Sequence, residues 1–130
     1  MNQMIWRVWL YMFALPLVFL VAIKGLHAEE ACSTIHGRLH YYSGDGQLRI
    51  WHISTHHEFT PDESSWDMVI EWLRDRVKPS ETRDYADPAT AFDLFGDFQI
   101  CPTEPFRKGA VQYVKVIAVT HRRYIKKPYH

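Results

Sequence analysis

Apolar residues run without a charge from Val8 to Ile23, the longest such run in the chain. Arg7 precedes it and Lys24-Gly25-Leu26-His27-Ala28 follows. Basic, apolar and small-residue segments thus stand in the order of a secretory signal peptide cut after Ala28. At about 1.5 Å of helix rise per residue, sixteen residues reach roughly 24 Å, short of a ~30 Å hydrocarbon core. Pro16 would also weaken a permanent span. Leu26 is bulkier than the minus-three position of a cleavage site prefers, which leaves a retained signal anchor as the alternative. Glu29, three positions before Cys32, argues against lipid attachment there. Residues 1–28 are therefore a targeting segment, 29–125 a single domain, and 126–130 a basic flexible tail.

In the mature chain the hydrophobic period changes from segment to segment. Thr34 to Tyr42 alternates, Ser43-Gly44-Asp45-Gly46 is a turn, and Gln47 to Ser54 is extended again. The pattern predicts a hairpin with Ile35, Leu39, Tyr41, Leu48 and Ile50 on a core face and His36, Arg38, His40, Arg49 and Trp51 on the other. Thr60-Pro61-Asp62-Glu63 reads as a helix start, with Thr60 as cap and proline at the first helical position. Trp66, Val69, Ile70, Leu73 and Val77 recur at helical spacing behind it, predicting a helix over about 61–78, ended by Pro79. After a polar connection, Phe92, Leu94, Phe98 and Ile100 alternate with Asp93, Asp97 and Gln99 into Cys101-Pro102. Val111 to Thr120 is apolar on both faces apart from Lys115, as in a central strand. Hairpin, helix, strand, strand predicts a mainly β fold: a small antiparallel β-sandwich with one inserted helix, or alternatively an OB-type β-barrel.

Ile35-His36-Gly37-Arg38-Leu39, the glycine-bearing turn and Leu48-Arg49-Ile50-Trp51 resemble the opening hairpin of small secreted transthyretin-like (prealbumin-like) domains. Gly96-Asp97-Phe98 and Ile100-Cys101-Pro102 are similar to a later strand of that group. The pattern also resembles uncharacterised small exported bacterial proteins with an "RIW" strand and an "FGDF-x-x-CP" strand. The likeness covers about residues 34–54 and 94–117; the helix departs from the transthyretin-like plan. It implies a β-sandwich export module and carries no functional site.

Charge is divided along the chain. Glu58 to Glu104 holds twelve acids and four bases, whereas Arg107 to His130 holds seven bases and no acid. The basic end suits an anionic envelope component, or it offsets the acidic middle of the same molecule. Two cysteines, Cys32 and Cys101, read as one structural disulfide in an oxidising compartment, secreted or periplasmic.

Three chemistries compete. A non-enzymatic binding or structural module, with no cofactor, would use the Arg38, Arg49, Trp51 patch or the basic tail; a guanidinium over an indole is also favourable as a simple cross-strand stack. Its partner would be a protein or an anionic envelope component, with nucleic acid disfavoured by export. On an OB-type barrel, Trp51 or Tyr42 with nearby bases would stack on and neutralise a polymer. A metal-handling protein would use His36, His40, His56 or His57 to hold zinc or copper, against the repulsion of Arg38 and Arg49. A small hydrolase would need Ser64, Ser65 or paired acids among Asp87, Asp93 and Asp97, but the chain holds no G-x-S-x-G, H-E-x-x-H or phosphate loop.

Overall fold

The computed structural model describes residues 31–85 and 87–128. The leader expected at 1–28 lies outside the described residues. Five strands form a closed barrel: β1 (Ser33–Tyr42), β2 (Gln47–His52), β3 (Glu58–Pro61), β4 (Phe92–Pro102) and β5 (Gln112–Lys126), in the spatial order β1-β2-β3-β5-β4. One helix, α1 (Glu63–Arg74), lies between β3 and β4, and 3₁₀ turns occupy Thr82–Asp84 and Pro88–Thr90.

The hairpin forms as its alternation predicts, with Arg38 opposite Trp51, Leu39 opposite Ile50 and Tyr41 opposite Leu48. β1 is the hub, pairing on its other side with β4 from Ser33↔Ile100 to Leu39↔Leu94. The disulfide joins Cys32, just before β1, to Cys101 in β4. No helix among the described residues is long and apolar enough to cross a membrane.

The expected two-sheet sandwich of antiparallel neighbours is replaced by one closed sheet, and a strand of four residues is the reason. β3 pairs antiparallel with β2 (Ile50↔Phe59) and parallel with β5 (Phe59↔Gln112 to Pro61↔Val114), so it joins the hairpin to the last strand. Its segment reads as a helix start in sequence because Pro61 suits a first helical turn. In the fold, Pro61 is instead the last residue of β3, and the Asp62 amide continues the ladder by donating to the Val114 carbonyl at 2.8 Å. Asp62 rather than Thr60 is the N-cap: its carboxylate accepts from the Ser65 amide at 3.1 Å. Thr60 is buried and donates through Oγ1 to the Leu48 carbonyl. The helix stops at Arg74 rather than running to 78, with Arg74 favourably placed in its last turn.

The core is shared between helix and barrel. Val69, Ile70, Trp72 and Leu73 of α1 pack with Ile35, Leu39, Leu48, Ile50, Leu94, Phe98, Ile100, Val114, Val116 and Val119. Ser65 Oγ closes the seam between them: it accepts from the Val116 amide of β5 at 3.2 Å and donates to the Asp62 carboxylate at 2.7 Å.

β5 departs from simple alternation twice. The register against β4 slips between Gln99 and Ile100, where the inward set passes from Gln112, Val114 and Val116 to Val119, and again between Phe95 and Asp97. This explains why the strand reads as apolar on both faces: bulges, not double-sided burial, interrupt its period. The second bulge sits opposite Gly96, where a Cβ would come within 2.8 Å of both the Thr120 carbonyl oxygen and Val119 Cγ2. His121 in this bulge has φ of 52°, an uncommon conformation for a residue other than glycine. The strand then runs on to Lys126, and the Lys127 amide donates to the Ala91 carbonyl at 2.8 Å. The segment expected to be a free tail from 126 is therefore paired through Lys127, and only 129–130 lie outside the described residues.

Candidate functional site

The outer face of β1, β2, β4 and β5 carries the densest polar chemistry of the barrel. Alternation sends the odd positions of β1 inward, so His36, Arg38, His40 and Tyr42 all point out. Register then sets a row across four strands: Trp51 of β2, Arg38 of β1, Phe95 of β4 and Arg123 of β5. The Arg38 guanidinium lies 5.4 Å from the centre of the Trp51 ring, and that of Arg123 lies 5.3 Å from the Phe95 ring. Each ring quadrupole attracts its cation, which holds each guanidinium over the ring of the neighbouring strand. Trp51 is itself fixed by its Nε1–H, which donates to the Thr55 carbonyl at 2.8 Å. Arg38 and Arg123 stand one strand apart, about 10 Å by the ordinary strand spacing.

Neither arginine has a carboxylate within ion-pair distance among the described residues, and Arg38 Nε is buried with no hydrogen-bond partner. An unsatisfied buried N–H costs about 1–3 kcal/mol, a local strain at the centre of the row. Arg49, the other predicted member of the patch, is satisfied differently. It pairs with Glu58 at 3.3 Å, donates to Gln47 Oε1 at 3.0 Å, and stands 5.3 Å from the Tyr42 ring centre.

Two histidine–carboxylate groups flank the row. On one side, Asp97 of β4 accepts from both His36 Nδ1 at 3.0 Å and His121 Nδ1 at 2.9 Å, one histidine on each carboxylate oxygen. The hydrogen bond from His36 first, and the second from His121, hold the Asp97 carboxyl below its usual range. On the other side, Asp93 accepts from His40 Nδ1 at 2.7 Å and faces Lys127 Nζ at 3.5 Å. Burial pushes the Asp93 carboxyl up, but His40, Lys127 and Arg38 together outweigh it and the net direction is down. Burial also pulls the Lys127 ammonium below its usual value. Past Lys127 the face opens into a cleft of about 730 Å³ beside the 43–46 turn, lined in part by Tyr42, Tyr85 and Asp84.

The other sequence candidates lie elsewhere. His56 is exposed, and His57 sits between the rings of Phe59 and Phe106, at 4.0 and 4.6 Å, so neither joins His36 or His40. Among the described residues no group of three His, Cys, Asp or Glu side chains is placed to hold a metal ion; His36, Asp97 and His121 are joined by hydrogen bonds. Ser64 and Ser65 both donate to the Asp62 carboxylate at the helix start. Asp87 caps the second 3₁₀ turn through the Ala89 amide and pairs with Arg74 at 3.3 Å.

Sequence reasoning missed Phe95, His121 and Arg123 as site members. Alternation through Asp93 and Asp97 was enough to place Phe95 outside. His121 and Arg123 lie past the second bulge, in the stretch whose composition suggested a tail. No protein-family model, no curated protein and no solved structure matches the chain.

Proposed function

We propose that the chain is an exported, disulfide-braced OB-type barrel that binds an anionic envelope polymer without catalysis. The strand order β1-β2-β3-β5-β4, with a helix between β3 and β4, fits that barrel type, whose ligands lie on the face of the second and third strands; the row reaches that face through Trp51 of β2 and continues across β1, β4 and β5. The leader pattern and the Cys32–Cys101 bond support a place outside the cytosol. The observation that carries the reading is the row itself: Arg38 and Arg123 stand on aromatic rings, neither with a carboxylate within ion-pair distance among the described residues. Guanidiniums over the Trp51 and Phe95 rings favour recognition of acid groups over stacking of nucleobases. A repeating phosphate or carboxylate chain is the ligand class such a row fits.

The test is calorimetric titration of the purified protein with long-chain polyphosphate, oligoguluronate and dT15. Binding to either envelope-type polyanion, weakened about tenfold or more by Arg38→Gln with Arg123→Gln, is the expected result. No binding to any of the three, or no effect of the double substitution, overturns the reading. Tighter binding of dT15 than of both other polymers reassigns the face to single-stranded nucleic acid.

A further inference from the structure

The same face sets three histidines against two carboxylates: His36 and His121 on Asp97, and His40 on Asp93. An ionised carboxylate only accepts hydrogen bonds, so the Nδ1 atoms of His36, His121 and His40 carry the protons they share with Asp97 and Asp93. Their Nε2 atoms are then the ring nitrogens that carry no proton in the neutral form. The His36 and His121 side chains are 62% and 82% exposed, so protons reach them from bulk water. Imidazoles are the side chains that change charge between about pH 5 and 8.

The charges follow directly. With neutral imidazoles, the His36–Asp97–His121 group carries one negative charge beside the Arg38–Phe95–Arg123 row and repels an anionic chain. With both imidazoles protonated, the hydrogen bonds to Asp97 persist and the group carries one positive charge. The His40–Asp93–Lys127 group goes from neutral to one positive charge by the same route. The other charged groups beside the row are Arg38 and Arg123 on their rings and the Arg49–Glu58 pair. The placement of His121 is costly: it needs the bulge, a positive φ and the space left by Gly96. Bulges of this kind re-aim side chains next to functional sites.

We propose that the His36–Asp97–His121 cluster, seconded by His40–Asp93–Lys127, makes this face a pH-gated polyanion binder that captures in mild acid and releases near neutrality. The proposal rests on the binding reading above. Calorimetric titration of the purified protein with long-chain polyphosphate, whose internal phosphates stay ionised, is run at pH 7.5 and 5.5 at matched ionic strength. Affinity is expected to rise on the order of tenfold on acidification. The slope of log affinity against log salt should steepen by roughly 2.1, about 0.7 for each of the three added charges. The double variant H36Q/H121Q is expected to lose most of the ratio between the two pH values. H52Q/H56Q, which alters histidines away from the carboxylates, is expected to retain it. Binding of equal strength at both pH values overturns the gating while the binding function stands. A full acid gain in H36Q/H121Q overturns the assignment to this cluster, and absence of binding at both pH values overturns the function together with its gate.

Discussion

Replacing Ser65 by alanine should destabilise the protein out of proportion to the loss of one hydroxyl. Ser65 is 2% exposed, and its Oγ makes two bonds with different owners. It accepts the Val116 amide of β5 and donates to the Asp62 carboxylate that caps α1. Alanine leaves the amide of a nearly buried strand residue with no acceptor, which costs about 1–3 kcal/mol, and removes a bond to a charged acceptor, worth about as much again. A total near 3 kcal/mol corresponds to a fall in Tm of roughly 12–24 °C for a domain of about 100 residues. Ser64→Ala is the internal comparison: its exposed Oγ donates to the same carboxylate at 2.8 Å. It should cost less than about 1 kcal/mol. Urea titration at pH 7 measures both, and hydrogen exchange at the Val116 amide should accelerate only in Ser65→Ala. Equal losses for the two serines, or a loss below about 1 kcal/mol for Ser65→Ala, would refute the seam argument.

The disulfide, the Gly96 bulge and the paired carboxylates can each be perturbed in turn. Replacing both Cys32 and Cys101 by alanine opens a loop of 69 residues' separation and should lower unfolding free energy by roughly 4 kcal/mol on the chain-entropy account, read by urea titration. A loss under 1 kcal/mol would show that the oxidised and reduced unfolded chains are equally restricted. Gly96→Ala places a Cβ against the Thr120 backbone oxygen, which cannot rotate away, and should cost about 1–3 kcal/mol. It should also shift the His121 and Asp97 resonances in an NMR spectrum; an unchanged spectrum and Tm would contradict the bulge geometry. The Asp62, Asp87 and Asp93 carboxyls sit below 3.8 in the fold, so they bind protons more weakly folded than unfolded. Their stabilisation is complete well above pH 3.8 and is lost as pH falls through that value toward the folded ones. The urea midpoint should therefore drop between pH 5 and pH 2.5, and a flat profile would count against these pairings.

Much of the barrel was readable where one signal acted alone. The hairpin is specified by period-two alternation around a glycine-rich turn, and no other element competes for those residues. The cysteine pair and the alternating half of β4 were equally plain. Sequence reasoning failed where two local signals overlap. At 58–62 a proline that suits a helix start ends a strand instead, because pairing with β2 on one side and β5 on the other outweighs local preference. At 117 and 121 bulges break the alternation that a strand is recognised by, so β5 looked too apolar at its start and too basic at its end. The site suffered from the second failure. Arg38 and Trp51 were visible as neighbours, but Arg123 and His121 join them only once β5 is continued to Lys126.

With one cysteine ahead of the first strand and one near the end of the fourth, only a single intramolecular bridge can be drawn. A chain emerging amino-end first presents a solitary thiol until most of the barrel sequence has followed. Oxidation therefore has no wrong internal partner to unmake, and the hazard it faces is coupling to a second copy rather than scrambling within one.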